Sequence, residues 1–212
     1  MRGVRLGLAA VFACVLAAAP PGRAADLLDH VLATAEGRVI TLSDVRTALR
    51  FGLVAPAPSG DVTSAALDRL IDRLVILGEV ERYAPPEPDP EAIRQAVAKI
   101  RARFPSAEDL QAALRVAGFD EAALVQWARN DLRIAHYLDE RFAGAAEPTD
   151  EDVESYVRQH AADLQRTGRA LDDPETMRLA RERVAAERHD AVVTEWVQGL
   201  RGRAGVTKTP KP

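Results

Sequence analysis

The side chains that could do chemistry are few, and none is spaced for it. The four histidines, His30, His136, His160 and His189, stand far apart in the chain. Metal sites draw several His, Cys or carboxylate ligands together, commonly as short-range pairs. Isolated histidines read as surface or boundary residues, and the expected metal set is empty. The single cysteine, Cys14, lies in an apolar run near the start. Asp131 is the one carboxylate set in the middle of an apolar helical face. Acid–base work would need a second acid, a histidine or a metal within reach, and none is spaced with it. An isolated carboxylate is costly to bury, so the sequence predicts an arginine partner or a half-exposed position for Asp131. No glycine-rich phosphate loop follows a strand and no nucleophile elbow occurs. The expectation is a protein with no catalytic residue and no cofactor.

Binding has better candidates. Phe51, Leu53 and Val54 adjoin a loop marked by Pro56, Pro58 and Gly60, which is unusually apolar for a loop. Phe104 and Phe119 sit at helix ends. These five residues can pack inward, or they can form an exposed apolar patch that takes a peptide. The Glu and Arg pairs between 175 and 190 have the i,i+4 spacing of a solvated helix face.

The elements that must position these groups are mostly helices. Hydrophobic residues make up 47% of the 212-residue chain but aromatics only 5%, a balance that favours helix over sheet. The length suits one domain with a real core. Basic and acidic residues are interspersed at a net charge of −4, so nothing points to nucleic acid. Arg2 and Arg5, the apolar run from Leu6 to Ala19, and Gly22-Arg23-Ala24 form the pattern of a secretory signal peptide. The run is too short for a good membrane span. Cleavage is expected after Ala24; a lipid on Cys14 is the rival reading. Cleavage would remove Cys14 and the three arginines Arg2, Arg5 and Arg23, taking the net charge from −4 to −7.

The segment TSAALDRLIDRLVILGEVERY, 63–83, predicts the central helix: Leu67, Leu70, Ile71, Leu74 and Leu77 share one face, with Val75, Ile76 and Val80 at its sides and back. Gly78 interrupts that face and predicts close approach of another backbone. Before it, Val31 to Thr34 and Val39 to Thr41 read as a hairpin around Glu36-Gly37, and Thr41 with Asp44 caps a helix running to about Gly52. After it, Asp89-Pro90, Ser106 with Asp109, Asp120, Thr149 with Asp152, and Asp173-Pro174 each open a helix. The helix from Thr149 is expected to run to Leu164. The last one shows Met177, Ala180, Val184, Val192, Trp196 and Leu200 on or near one face, and Val206-Thr207 has strand character.

The order of these motifs resembles that of the SurA-type periplasmic chaperones. VLATAEGRVITLSDV is similar to the family's opening strand, turn, strand and helix cap, and LDRLIDRLVILGEVERY to its second helix. FPSAEDLQAALRVAGFDEAALVQWARNDLRIAHYLDERF resembles its helix pair with an Ala-Gly-Phe joint, PTDEDVESYVRQH its lead-out helix, and the last helix through LRGRAGV its returning helix and closing strand. The likeness covers about residues 28–166 and 174–208. In the family a parvulin prolyl-isomerase domain usually separates the lead-out and returning helices. Here 165–174 is too short to hold one, and no parvulin-type Gly-Gly or His-Ile-Leu element occurs.

The resemblance implies a mostly α fold: a helical chaperone domain around 63–83, with a small β-hairpin, a C-terminal strand and a long returning helix. It implies one domain over 25–212 after a signal peptide at 1–24, and a periplasmic, ATP-independent holdase without isomerase activity. Its partners would be unfolded envelope or outer-membrane proteins, with no nucleic acid and no stable membrane insertion. Phe51, Leu53, Val54, Phe104 and Phe119 are the peptide-binding candidates. The alternatives are an assembly partner of one defined envelope protein and a prolyl isomerase-related protein.

Overall fold

The structure, a computed structural model, describes residues 29–56, 59–145, 147–166 and 170–209. The expected signal peptide and its cleavage bond lie outside the described residues. Strands β1 (Val31–Ala35) and β2 (Arg38–Thr41) pair antiparallel, with an irregularity between Val31 and Ala33. Glu36 and Gly37 both have positive φ, 50° and 73°. That is the left-handed pair a two-residue hairpin needs to match strand twist. Helix α1 (Leu42–Phe51) starts on a full capping box from Thr41 and Asp44 and stops at Gly52.

Helix α2 (Val62–Tyr83) is the hub, and it touches α1, both hairpin strands, α5 (Glu121–Phe142) and α8 (Pro174–Arg203). Ile71, Val75 and Val80 are fully buried, and Ala66, Leu67, Leu70, Ile76 and Leu77 nearly so. Burial on every side is what its all-round apolar sequence demands. Gly78 does face a close neighbour, but a side chain rather than a backbone. A methyl group there would collide with the Glu36 carboxylate at the hairpin turn. The turn is held further by the Glu36 N–H donating to the Ala204 carbonyl at 3.1 Å and by Arg82, 3.6 Å from the Glu36 carboxylate. Gly78 is thus the seat of the hairpin tip.

Asp89 and Pro90 open α3 (Pro90–Arg101), Ser106 opens α4 (Ala107–Ala117), and Asp120 opens α5, each cap accepting a backbone N–H. Thr149 and Asp152 cap α6 (Asp150–Gln159). The expected single helix to Leu164 breaks at His160, and α7 (Ala161–Arg166) follows. There the imidazole stacks on Tyr156 with centroids 4.0 Å apart, and its Nδ1 lies 2.9 Å from the Tyr156 carbonyl. Helix α8 returns along the molecule. Its first half packs Ala180 on Val153 and Val157 of α6; its second half packs Val197 and Leu200 on α2 and Tyr137. Strand β3 (Thr207–Lys208) then pairs antiparallel with β1, giving the order β2-β1-β3. The fold is mostly α with a small three-stranded sheet, as the sequence predicts. Among the described residues no helix is long and apolar enough to cross a membrane.

The charged face of α8 is not simply solvated. Arg178 does pair along its own helix, with Glu175 and Glu182. Arg181 and Arg188 instead reach across to the start of α6, where Arg181 meets Asp150 and Arg188 lies 2.6 Å from Asp152. Negative charge in that first turn also suits the helix dipole.

A second ionic clamp joins α8 to α2. Arg201 donates to the Asp68 carboxylate at 2.9 Å, to the Asp68 carbonyl at 2.7 Å and to Asp72, while Lys208 donates to Asp68 at 2.7 Å. Burial alone would raise the Asp68 carboxyl, but hydrogen bonds and charge from Lys208 and Arg201 hold it below its ordinary value. A depressed folded-state value means the contribution is present above the unfolded carboxylate range, around pH 4, and is lost as pH falls toward the folded value. Replacing Arg201 by Met leaves two carboxylates one turn apart without their shared cation. The expected cost at pH 7 is about 1–2 kcal/mol, held down because Asp68 and Asp72 are 35% and 32% exposed. The deficit should shrink as pH falls below about 4 and Asp68 protonates. Urea melts above and below that pH check both the size and the slope.

Candidate functional site

Between the hairpin and the helices lies an apolar cleft of about 230 Å³. Its floor comes from α2 through Leu70, Leu74 and Leu77. Val39 and Ile40 of β2 form one wall, and Leu53, Phe119 and Trp127 the other. Strand β2 is the edge of the sheet and pairs with β1 alone among the described residues. Val39 is 52% exposed beside the opening. The three leucines at 70, 74 and 77 recur at helical spacing beneath the cleft; Leu74 is half-buried there, and Leu70 and Leu77 are nearly fully buried.

The polar rim is built around Arg73. Its guanidinium lies flat over the Trp127 indole, 3.6 Å from the ring centroid. Its Nε donates to Asp131 Oδ1 at 2.9 Å and its Nη2 to the Trp127 carbonyl at 3.3 Å. Trp127 Nε1 donates to Asp131 Oδ2 at 2.8 Å, which closes the cluster. Asp131 therefore has both the arginine partner and the half-exposed position expected of it, with its side chain 49% exposed. Burial pushes the Asp131 carboxyl up despite Arg73, and burial pushes the Arg73 guanidinium down despite Asp131. Elsewhere on the rim, Arg38 reaches Glu81 at 3.7 Å, and Asp44 is occupied by the Thr41 N–H and hydroxyl at 2.9 Å each.

The five peptide-binding candidates fall into different environments. Phe51 is fully buried and Val54 is 8% exposed. Neither forms an exposed patch, which corrects that reading of the 51–54 segment. The cause is packing. Phe51 meets the Phe104 ring at 5.2 Å and the Phe119 ring at 6.3 Å, inside a cluster with Leu110, Ala113, Leu114 and Leu124. Val54 joins the hairpin and α2 core. Phe104, half-buried, packs against that same cluster from the end of α3 and does not line the cleft. Leu53 and Phe119 are half-buried and do line it. Sequence reasoning missed Arg73, Trp127, Leu70, Leu74 and Leu77 as a site, because each reads as helix core or helix surface when its own helix is viewed alone. Tryptophan at the polar edge of an apolar stripe was the available signal.

Among the described residues no group of three or more His, Cys, Asp or Glu side chains is placed to hold a metal ion. The cleft has the make-up of a binding site: apolar walls, few polar groups and an adjacent strand that has one partner among the described residues. Compared with known proteins, the chain matches no family model and no curated relative.

Proposed function

We propose that the chain is an ATP-independent, holdase-type chaperone of the periplasm that binds extended apolar segments of unfolded envelope proteins. The observation that carries the reading is the open apolar cleft lined by β2, a strand that pairs with β1 alone among the described residues. An extended segment can lie along that strand and lower a side chain onto Leu74 and Leu77, the mode in which main-chain contacts give affinity and pockets give preference. The resemblance in motif order to the SurA-type chaperones supports the same function, and the signal-peptide pattern supports the compartment. A holdase of this kind needs no catalytic group. Its affinity for single segments should be micromolar, about −8 kcal/mol, because breadth of clients sets a limit on complementarity.

The test is aggregation of several unrelated unfolded proteins, followed by light scattering with and without the chain from Ala25 onward. The expected result is delay of most of them at near-equal molar ratio, with neither nucleotide nor metal added. Delay of a single client out of many would favour a dedicated assembly partner instead, and delay of none would overturn the holdase reading.

A further inference from the structure

We infer that the cleft prefers an extended segment in which an aromatic side chain is followed closely by an acidic one, the ring entering the cleft and the carboxylate meeting Arg73 and Arg38. The inference rests on the holdase reading and names the sequence class that site would select. Three observations carry it.

The first is size. About 230 Å³ is below the range of drug-sized sites, about 300–1,000 Å³, and suits one large side chain. Trp127 and Phe119 in the wall favour a ring, which gains from tilted or edge contacts with them.

The second is charge. Of the charged side chains lining the cleft, Arg38 and Arg73 are cations and Asp44 is the acid. Asp44 is committed to the α1 cap through the Thr41 N–H and hydroxyl. Arg38 is 56% exposed and is held only by a loose contact with Glu81. An incoming carboxylate can displace the loose Glu81 contact on Arg38 and approach the open edge of Arg73, while Asp131 and Asp44 keep the partners they already have.

The third is donor count. A guanidinium carries five N–H donors. Arg73 uses Nε on Asp131 and Nη2 on the Trp127 carbonyl, and the described residues offer no partner to its Nη1. Its stacking on Trp127 fixes the plane of the group before a ligand arrives, so a carboxylate would gain a charge-assisted bond at little ordering cost.

Labelled peptides that share one apolar sequence around a single phenylalanine, and differ only in the next residue, test this by fluorescence anisotropy on the unmodified chain. The Asp peptide is expected to bind about tenfold tighter than its Asn twin at low salt. The gap should narrow as ionic strength rises. Replacing the phenylalanine by alanine should cost at least as much as removing the acid. Arg38→Gln, on an exposed residue, should remove part of the Asp preference. The double change Arg73→Met with Asp131→Asn, which takes out the ion pair without leaving a lone buried charge, should remove most of the rest. Equal and measurable binding of the Asp and Asn peptides would overturn the selectivity while leaving the holdase reading intact. An unchanged affinity of the alanine peptide would place the contact outside the cleft. Failure of every peptide to bind would overturn both readings.

Discussion

A chain ending at Leu171 is expected to have no cooperative melt, although it retains α1 to α7 and the hairpin. The reason lies in what α8 covers. Val197 and Leu200 are buried against Val75, Ile76, Leu77 and Val80 of α2, and Val193 and Trp196 pack around them. Ala180 closes the small core of α6 with Val153 and Val157. Each fully buried aliphatic or aromatic side chain contributes about 1.5–3 kcal/mol, and a whole domain is stable by only about 5–15 kcal/mol. Truncation also strips Asp68 and Asp72 of Arg201, removes β3 from β1 and takes away the Ala204 carbonyl that accepts the Glu36 N–H. The hub would then expose an apolar face of α2 to water. Circular dichroism across temperature and urea measures the loss. An unchanged melting temperature in the truncated chain would mean that α8 is an appendage and that α2 is covered by something else.

The elements were legible because local chemistry sets their ends. The Glu36-Gly37 turn, the Thr41–Asp44 and Thr149–Asp152 boxes, and the caps at Asp89, Ser106, Asp120 and Asp173 each satisfy backbone groups within a few residues of themselves. Nothing distant is needed to read them. Even β3 could be anticipated from two residues of strand character after the last helix. The cleft was not legible, because its parts are brought together from far apart. Arg73 meets Trp127 across 54 residues of sequence, and Arg201 meets Asp68 across 133. Helix α8 shows the same limit in another form. Its apolar positions read as one stripe, yet the first half serves α6 and the second half serves α2. Periodicity reports that a face will be covered, not which neighbour covers it. The 51–54 segment fails for the converse reason. Proline and glycine mark a loop correctly, but they say nothing of the aromatic trio that draws Phe51 inward.

Phe51 and Leu53 should therefore separate stability from binding, although they are two residues apart. Phe51→Ala empties a fully buried site between Phe104, Phe119 and Leu124. Losing a core phenylalanine costs about 3–5 kcal/mol, which for a chain of this length lowers the melting temperature by about 10 °C. Leu53 is only half-buried and stands in the cleft wall. Leu53→Ser gives up part of one apolar side chain, about 1 kcal/mol of stability. The same lost surface faces the ligand, so peptide affinity should fall by about three- to tenfold. Phe51→Ala, measured at a temperature where it remains folded, should bind with affinity much closer to the unmodified chain, since Phe51 does not line the cleft. Thermal melts beside anisotropy titrations on the same samples give both numbers. Were Leu53→Ser to bind normally while Phe51→Ala lost binding in a folded sample, the contact surface would lie on the Phe104 side of the Phe51 cluster, and the cleft beside β2 would be a packing feature of the hairpin.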